Sequence, residues 1–109
     1  MRICAAFCLT LLIASLVLGQ GNKPEQGYVP NSETAVQIAE AVLVPVYGRQ
    51  KIESEKPFNA ELKDGVWTVS GTLHCSDGNG GTTTHCVGGV AVVTISKADA
   101  RILSMIHYK

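Results

Sequence analysis

Two His-Cys dipeptides, His74-Cys75 and His85-Cys86, are the residues of this chain with the most obvious capacity for chemistry. Zinc is the first thought, but a tetrahedral site needs four converging ligands at spacings such as Cys-x-x-Cys, which are absent. Neighbours on a strand point to opposite faces, so each histidine would point away from its own cysteine. A Cys75–Cys86 disulfide is therefore expected, with no metal. The stretch between them, SDGNGGTTT at residues 76–84, is a loop by composition. Its Asp77-Gly78-Asn79-Gly80-Gly81 core lacks the further carboxylates and the bidentate Glu of a calcium loop. No Gly-Lys-Ser/Thr follows, as a phosphate loop would require. It reads as a hairpin tip.

General acid–base chemistry needs a carboxylate whose burial retunes it. Asp64, Asp77 and Asp99 fall in turns, and Glu33, Glu40 and Glu61 fall on polar faces. No acid is expected to point inward. His107 takes an inward register at a strand end and reads as a core-edge histidine. No nucleophile has a base beside it, so no enzyme activity and no cofactor is expected.

The element that must position everything else is residues 31–48, NSETAVQIAEAVLVPVYG. Asn31 and Ser32 are good N-cap residues, and Glu33 suits the positive end of the helix dipole. Ala35, Ile38, Ala39, Val42, Leu43 and Val46 recur on one face at about 100° per residue. Gly48 suits the left-handed turn that ends a helix. Pro45 cannot bond back to the Ala41 carbonyl. It must either stop the helix near Leu43 or kink it and let it run on to Tyr47, and the return of Val46 to the stripe favours the kink. Residues 49–57, RQKIESEKP, are largely charged with Ile52 the one large apolar side chain, and read as a connector with one helical turn.

From Phe58 the period becomes two. Strands are expected at residues 58–63, 66–73, 87–96 and 101–108, with Asp64-Gly65 as a hairpin turn. That turn pairs Leu62 with Trp67 and Ala60 with Val69. Directly opposed cysteines would pair Val69 with Val92, and a four-residue turn at 97–100 would pair Val92 with Met105. One face then holds Phe58, Ala60, Leu62, Trp67, Val69, Leu73, Val90, Val92, Leu103 and Met105 for the helix to cover, an α+β arrangement with one N-terminal helix on a curved antiparallel meander. The other face would show Ala91, Val93, Ile95, Ile102 and Ile106. Such a patch is rarely left in water. Either the sheet curls and a connector covers it, or these five residues are a candidate partner-binding surface.

The chain has 109 residues, 17% of them charged, and zero formal net charge. One small domain is expected, without the basic excess of a nucleic-acid binder. Residues 1–19 read as a secretory signal peptide: Arg2, an apolar run, then small Gly19 at the cut. A retained membrane anchor is the alternative, but the run falls short of the ~20 residues that span a bilayer. Cleavage removes Cys4 and Cys8, and export favours a disulfide for the remaining pair. The expected location is periplasmic or secreted, with no membrane association after cleavage. Residues 20–27, QGNKPEQG, read as a flexible tether, and residues 28–109 as the domain.

Several blocks together resemble the NTF2-fold immunity protein family of bacterial polymorphic toxin systems. They are Tyr28-Val29-Pro30, Glu33-Thr34-Ala35, Ile38-Ala39-Glu40-Ala41 and Val44-Pro45-Val46-Tyr47-Gly48. They continue with Lys56-Pro57-Phe58, Leu62-Lys63-Asp64-Gly65-Val66-Trp67, Gly71-Thr72-Leu73, Gly88-Gly89-Val90 and Ile95-Ser96-Lys97. The chain departs from the pattern at Ala100, where Asp-Gly is usual, and in the cysteine-bracketed loop. The resemblance implies a reduced NTF2-like or cystatin-like helix-on-sheet domain of bacterial origin. It also implies a protein partner, a cognate toxin bound and neutralised without catalysis. An envelope protein of this fold binding another protein or a small ligand is the alternative. An enzyme, since NTF2-like cones also host isomerases and dehydratases, is the third reading, disfavoured by the missing inward acid.

Overall fold

A computed structural model describes residues 19, 21–83 and 86–109. The apolar run of the expected signal peptide and His85 lie outside the described residues. Helix α1, Ser32–Tyr47, begins where Asn31 caps it: the Asn31 side chain accepts from the Thr34 N–H at 2.9 Å and the Thr34 hydroxyl at 2.8 Å. The helix continues through Pro45 and ends at Gly48, whose φ of 93° only glycine adopts without strain. The Gly48 N–H bonds to the Val44 carbonyl at 2.8 Å. Helix α2, Arg49–Glu53, follows and buries Ile52.

Strands β1 (Asn59–Lys63) and β2 (Val66–Ser70) form a hairpin over Asp64-Gly65, both at positive φ as a type I′ turn requires. A small ribbon, β3 (Cys75–Ser76) with β4 (Thr82–Thr83), stands apart from the main sheet. Strands β5 (Ala91–Ser96) and β6 (Ile102–His107) complete a four-stranded antiparallel sheet ordered β1-β2-β5-β6. This is the expected meander, with α1 packed on β1, β2 and β5. Among the described residues no helix is long and apolar enough to cross a membrane.

The core is Val29, Ala35, Ala39, Leu43, Ile52, Phe58, Trp67, Val69, Ala91, Val93 and Ile95. Burial stabilises the fold by about 1.5–3 kcal/mol for each large aliphatic side chain. Alanines 35 and 39 let α1 approach the sheet closely, and Leu43 seals its far end. Trp67 lies beneath, its indole N–H donating to the Val29 carbonyl at 2.9 Å. That bond, with Tyr28 N–H to Ala98 and Val29 N–H to Lys97, ties the entry to α1 onto the β5–β6 turn. Lys97 Nζ also donates to the Gln26 carbonyl, anchoring the end of the segment before the domain.

Two expectations need correction. Val46 does not rejoin the apolar stripe; it is 60% exposed, and Tyr47 turns inward in its place. The larger correction is register. The β1–β2 pairing is as expected, Leu62 with Trp67 and Ala60 with Val69. Across β2–β5, however, Val69 pairs with Val93, not Val92. One residue of slip moves a whole strand to the other face. Ala91, Val93 and Ile95 are fully buried against α1, and Val92 and Thr94 face outward. Cys75 pairs with Thr83 rather than with Cys86, so the disulfide does not extend the β2–β5 ladder and cannot set its register. A second irregularity lies between β5 and β6. Thr94 pairs with Ser104 and Ile95 with Ile102, which leaves Leu103 as the extra residue of a bulge. The two slips cancel at Met105, which stays on the helix side. They turn Ile102 inward and Leu103 out.

Candidate functional site

The one buried charged side chain among the described residues is Glu55, just after α2. Its own carbonyl accepts from the Thr72 N–H at 2.7 Å, which fixes the segment against the end of β2. The carboxylate is held at both oxygens. Oε1 accepts from the Ala91 N–H at 2.6 Å, and Oε2 lies 3.1 Å from His107 Nε2. The other ring nitrogen, Nδ1, is 2.8 Å from the Tyr108 carbonyl. A carbonyl only accepts, so Nδ1 carries its proton, and Nε2 and Oε2 must hold one more between them. The Tyr47 ring packs on the imidazole with centroids 5.3 Å apart. Gly71 makes room: a Cβ there would meet Glu55 Cβ and Oε1 at 3.0 Å and Phe58 Cε1 at 3.1 Å.

This cluster corrects the expectation that no acid points inward, while His107 occupies the inward register foreseen for it. Chemically it is a buried, hydrogen-bonded carboxyl–imidazole pair that joins the connector to β5 and β6. Both carboxylate oxygens and both ring nitrogens have hydrogen-bond partners within the fold.

The five residues first grouped as a partner surface are now divided. Ala91, Val93 and Ile95 are core, Ile102 packs against the core, and Ile106 alone stays 45% exposed. The solvent face of the sheet is instead rich in hydroxyls: Thr68, Ser70, Thr94 and Ser104, the last two sharing a hydrogen bond at 2.5 Å. Cys75 and Cys86 form the expected disulfide, with Cα atoms 6.3 Å apart. Within its loop Asp77 Oδ1 accepts from the Asn79 and Gly81 N–H groups at 2.7 and 3.1 Å. Its carboxylate is thus spent on the turn. On the last turn of the main sheet, backbone and side-chain hydrogen bonds from Arg101 and Ser96 lower the pKa of the exposed Asp99.

A groove of about 480 Å³ lies between α1 and α2. Gln37, Glu40, Ala41, Pro45, Arg49, Glu53 and Lys56 line it, and Lys56 Nζ sits 3.1 Å from Glu53 and 3.9 Å from Glu40. The groove lies apart from Glu55 and His107, neither of which lines it. Among the described residues no three His, Cys, Asp or Glu side chains converge as a metal site.

Residues 34–109 match the family described as NTF2 fold immunity protein. The uncharacterized protein YhhH of Escherichia coli (strain K12) is 33% identical over 90 residues, 83% of this chain. The match spans 65% of YhhH, so this chain corresponds to somewhat less than two thirds of that relative's length. No solved structure matches. The helix followed by a four-stranded antiparallel sheet agrees with the fold that the family's description names. The chain belongs to the NTF2 fold immunity protein family.

Proposed function

We propose that this protein is an extracytoplasmic immunity protein that binds and neutralises a partner toxin without catalysis. The observation that carries the reading is the family match, which runs from the first turn of α1 to the last residue. The apolar run before Gly19 supports export and cleavage after that residue. The Cys75–Cys86 disulfide supports an oxidising compartment. The engagement of Glu55 with His107 supports a role in binding rather than turnover, since the pair is occupied in holding the fold.

A second reading, an envelope protein of this fold that binds a small ligand, is favoured by the groove between α1 and α2. Its volume falls in the range of small-molecule sites. Affinity purification from the envelope of the source cell separates the two. The immunity reading predicts a co-purifying nuclease, peptidoglycan-directed or other toxin-like protein in stoichiometric amount. It also predicts an N-terminus at Gln20. Recovery of the protein with no such partner, or from the cytoplasm with Met1 intact, contradicts it.

A further inference from the structure

The sheet ends on two edges of different character. Edge strand β1 carries Glu61 and Lys63 and is preceded by Pro57, the devices that discourage pairing with another chain. Edge strand β6 has no proline and no charged side chain from Ile102 to Ile106, and its one bulge is confined to Leu103. Its hydrogen-bonding phase follows from one bond: the Tyr108 N–H donates to the Val90 carbonyl at 3.1 Å. Antiparallel pairs alternate between bonded and non-bonded, so Ser104 and Ile106 direct their backbone groups toward β5. The N–H and C=O groups of Met105 and His107 therefore face outward, and among the described residues no backbone group of another segment bonds to them. The bulge at Leu103 lies at the other end of the strand, so this stretch keeps a regular register. Beside it Ile106 stands 45% exposed and Tyr108 54%.

We propose that the chain forms a two-fold symmetric dimer in which β6 pairs antiparallel with β6 of a second copy, the axis passing through Ile106. In that register Met105 exchanges backbone hydrogen bonds with the partner's His107, and by symmetry His107 does so with the partner's Met105. Ile106 meets the partner's Ile106 on the solvent face, and Ser104 meets the partner's Tyr108. Leu103 lies opposite the partner's Lys109, so no like charges are opposed. Self-pairing is the arrangement that this edge fits: it is self-complementary in hydrogen bonding and carries no Asp, Glu, Lys or Arg from Ile102 to Tyr108. Because Glu61, Lys63 and Pro57 guard the β1 edge, pairing through β6 closes the assembly at two subunits instead of growing into a fibre.

The test is the mass of the protein purified from the cells that make it, by sedimentation across the micromolar range. Twice the chain mass is expected, and Ile106→Lys should sediment at the chain mass with unchanged Trp67 fluorescence. Directly opposed non-bonded residues stand about 4.5 Å apart at Cα, within disulfide reach. Ile106→Cys should therefore cross-link on mild oxidation, while Thr68→Cys, on the same face but away from the edge, should not. A monomer at high micromolar concentration overturns the proposal. So does a dimer that Thr68→Cys traps and Ile106→Cys does not, which would mean face-to-face association.

Discussion

Glu55 shows how much a single side chain can organise. It takes up the Ala91 amide at the start of β5, hydrogen-bonds His107 at the end of β6, and needs Gly71 to leave it space. Removing one member of a buried pair strands the other. Glu55→Ala should cost about 3 kcal/mol in urea unfolding followed by Trp67 fluorescence. A loss below about 0.5 kcal/mol, the range of ordinary surface changes, would show that the pair is ornamental. Nothing in the charged run 49–57 distinguishes Glu55 from Glu53. Its role depends on an amide 36 residues away, which no local pattern exposes. Ala100 is the opposite case. In the turn between β5 and β6, Ala100 holds a left-handed φ of 62°. Ala100→Gly should raise stability by about 0.5–1 kcal/mol in the same assay, relief of a conformation that alanine resists.

At the scale of elements, α1 was legible because its cap, its stripe and its terminal glycine are all local signals. Pro45 proved compatible with the helix, since its missing N–H costs one bond near an end already closed by Gly48. The β1–β2 hairpin was legible because Asp64-Gly65 dictates both turn and register. Strand β5 was placed one residue out, because opposed cysteines were made to set a register that an irregular segment breaks. A better signal was present. Ala91, Val93 and Ile95 are uniformly apolar, whereas Val92, Thr94 and Ser96 turn polar along the strand. The corrected register is testable by neighbouring substitutions. Ile95→Asp buries an unpaired carboxylate and should abolish folding, while Thr94→Asp should change stability by less than about 1 kcal/mol. Circular dichroism would read both, and the reverse pattern would restore the first register. Because the disulfide closes a short loop beside the main sheet, Cys75→Ser with Cys86→Ser should cost about 2–3 kcal/mol, read by thermal unfolding, without altering the strand pairing.

At the scale of the molecule, fold and family were legible together, since the blocks that carry the resemblance are those that build α1, the hairpin and the turn after β5. The partner surface was not. It depended on which parity of β5 faced water, and a one-residue slip placed three of its five residues in the core. What remains outside is a hydroxyl-rich sheet face and an open edge at β6, and the proposed function rests on the family rather than on any one exposed residue. Immunity is at bottom a statement about stoichiometric inhibition. The direct measurement is titration of this protein against the activity of the toxin-like protein that co-purifies with it. Loss of that activity near one equivalent is the predicted result. Full activity in the presence of excess protein would contradict the account.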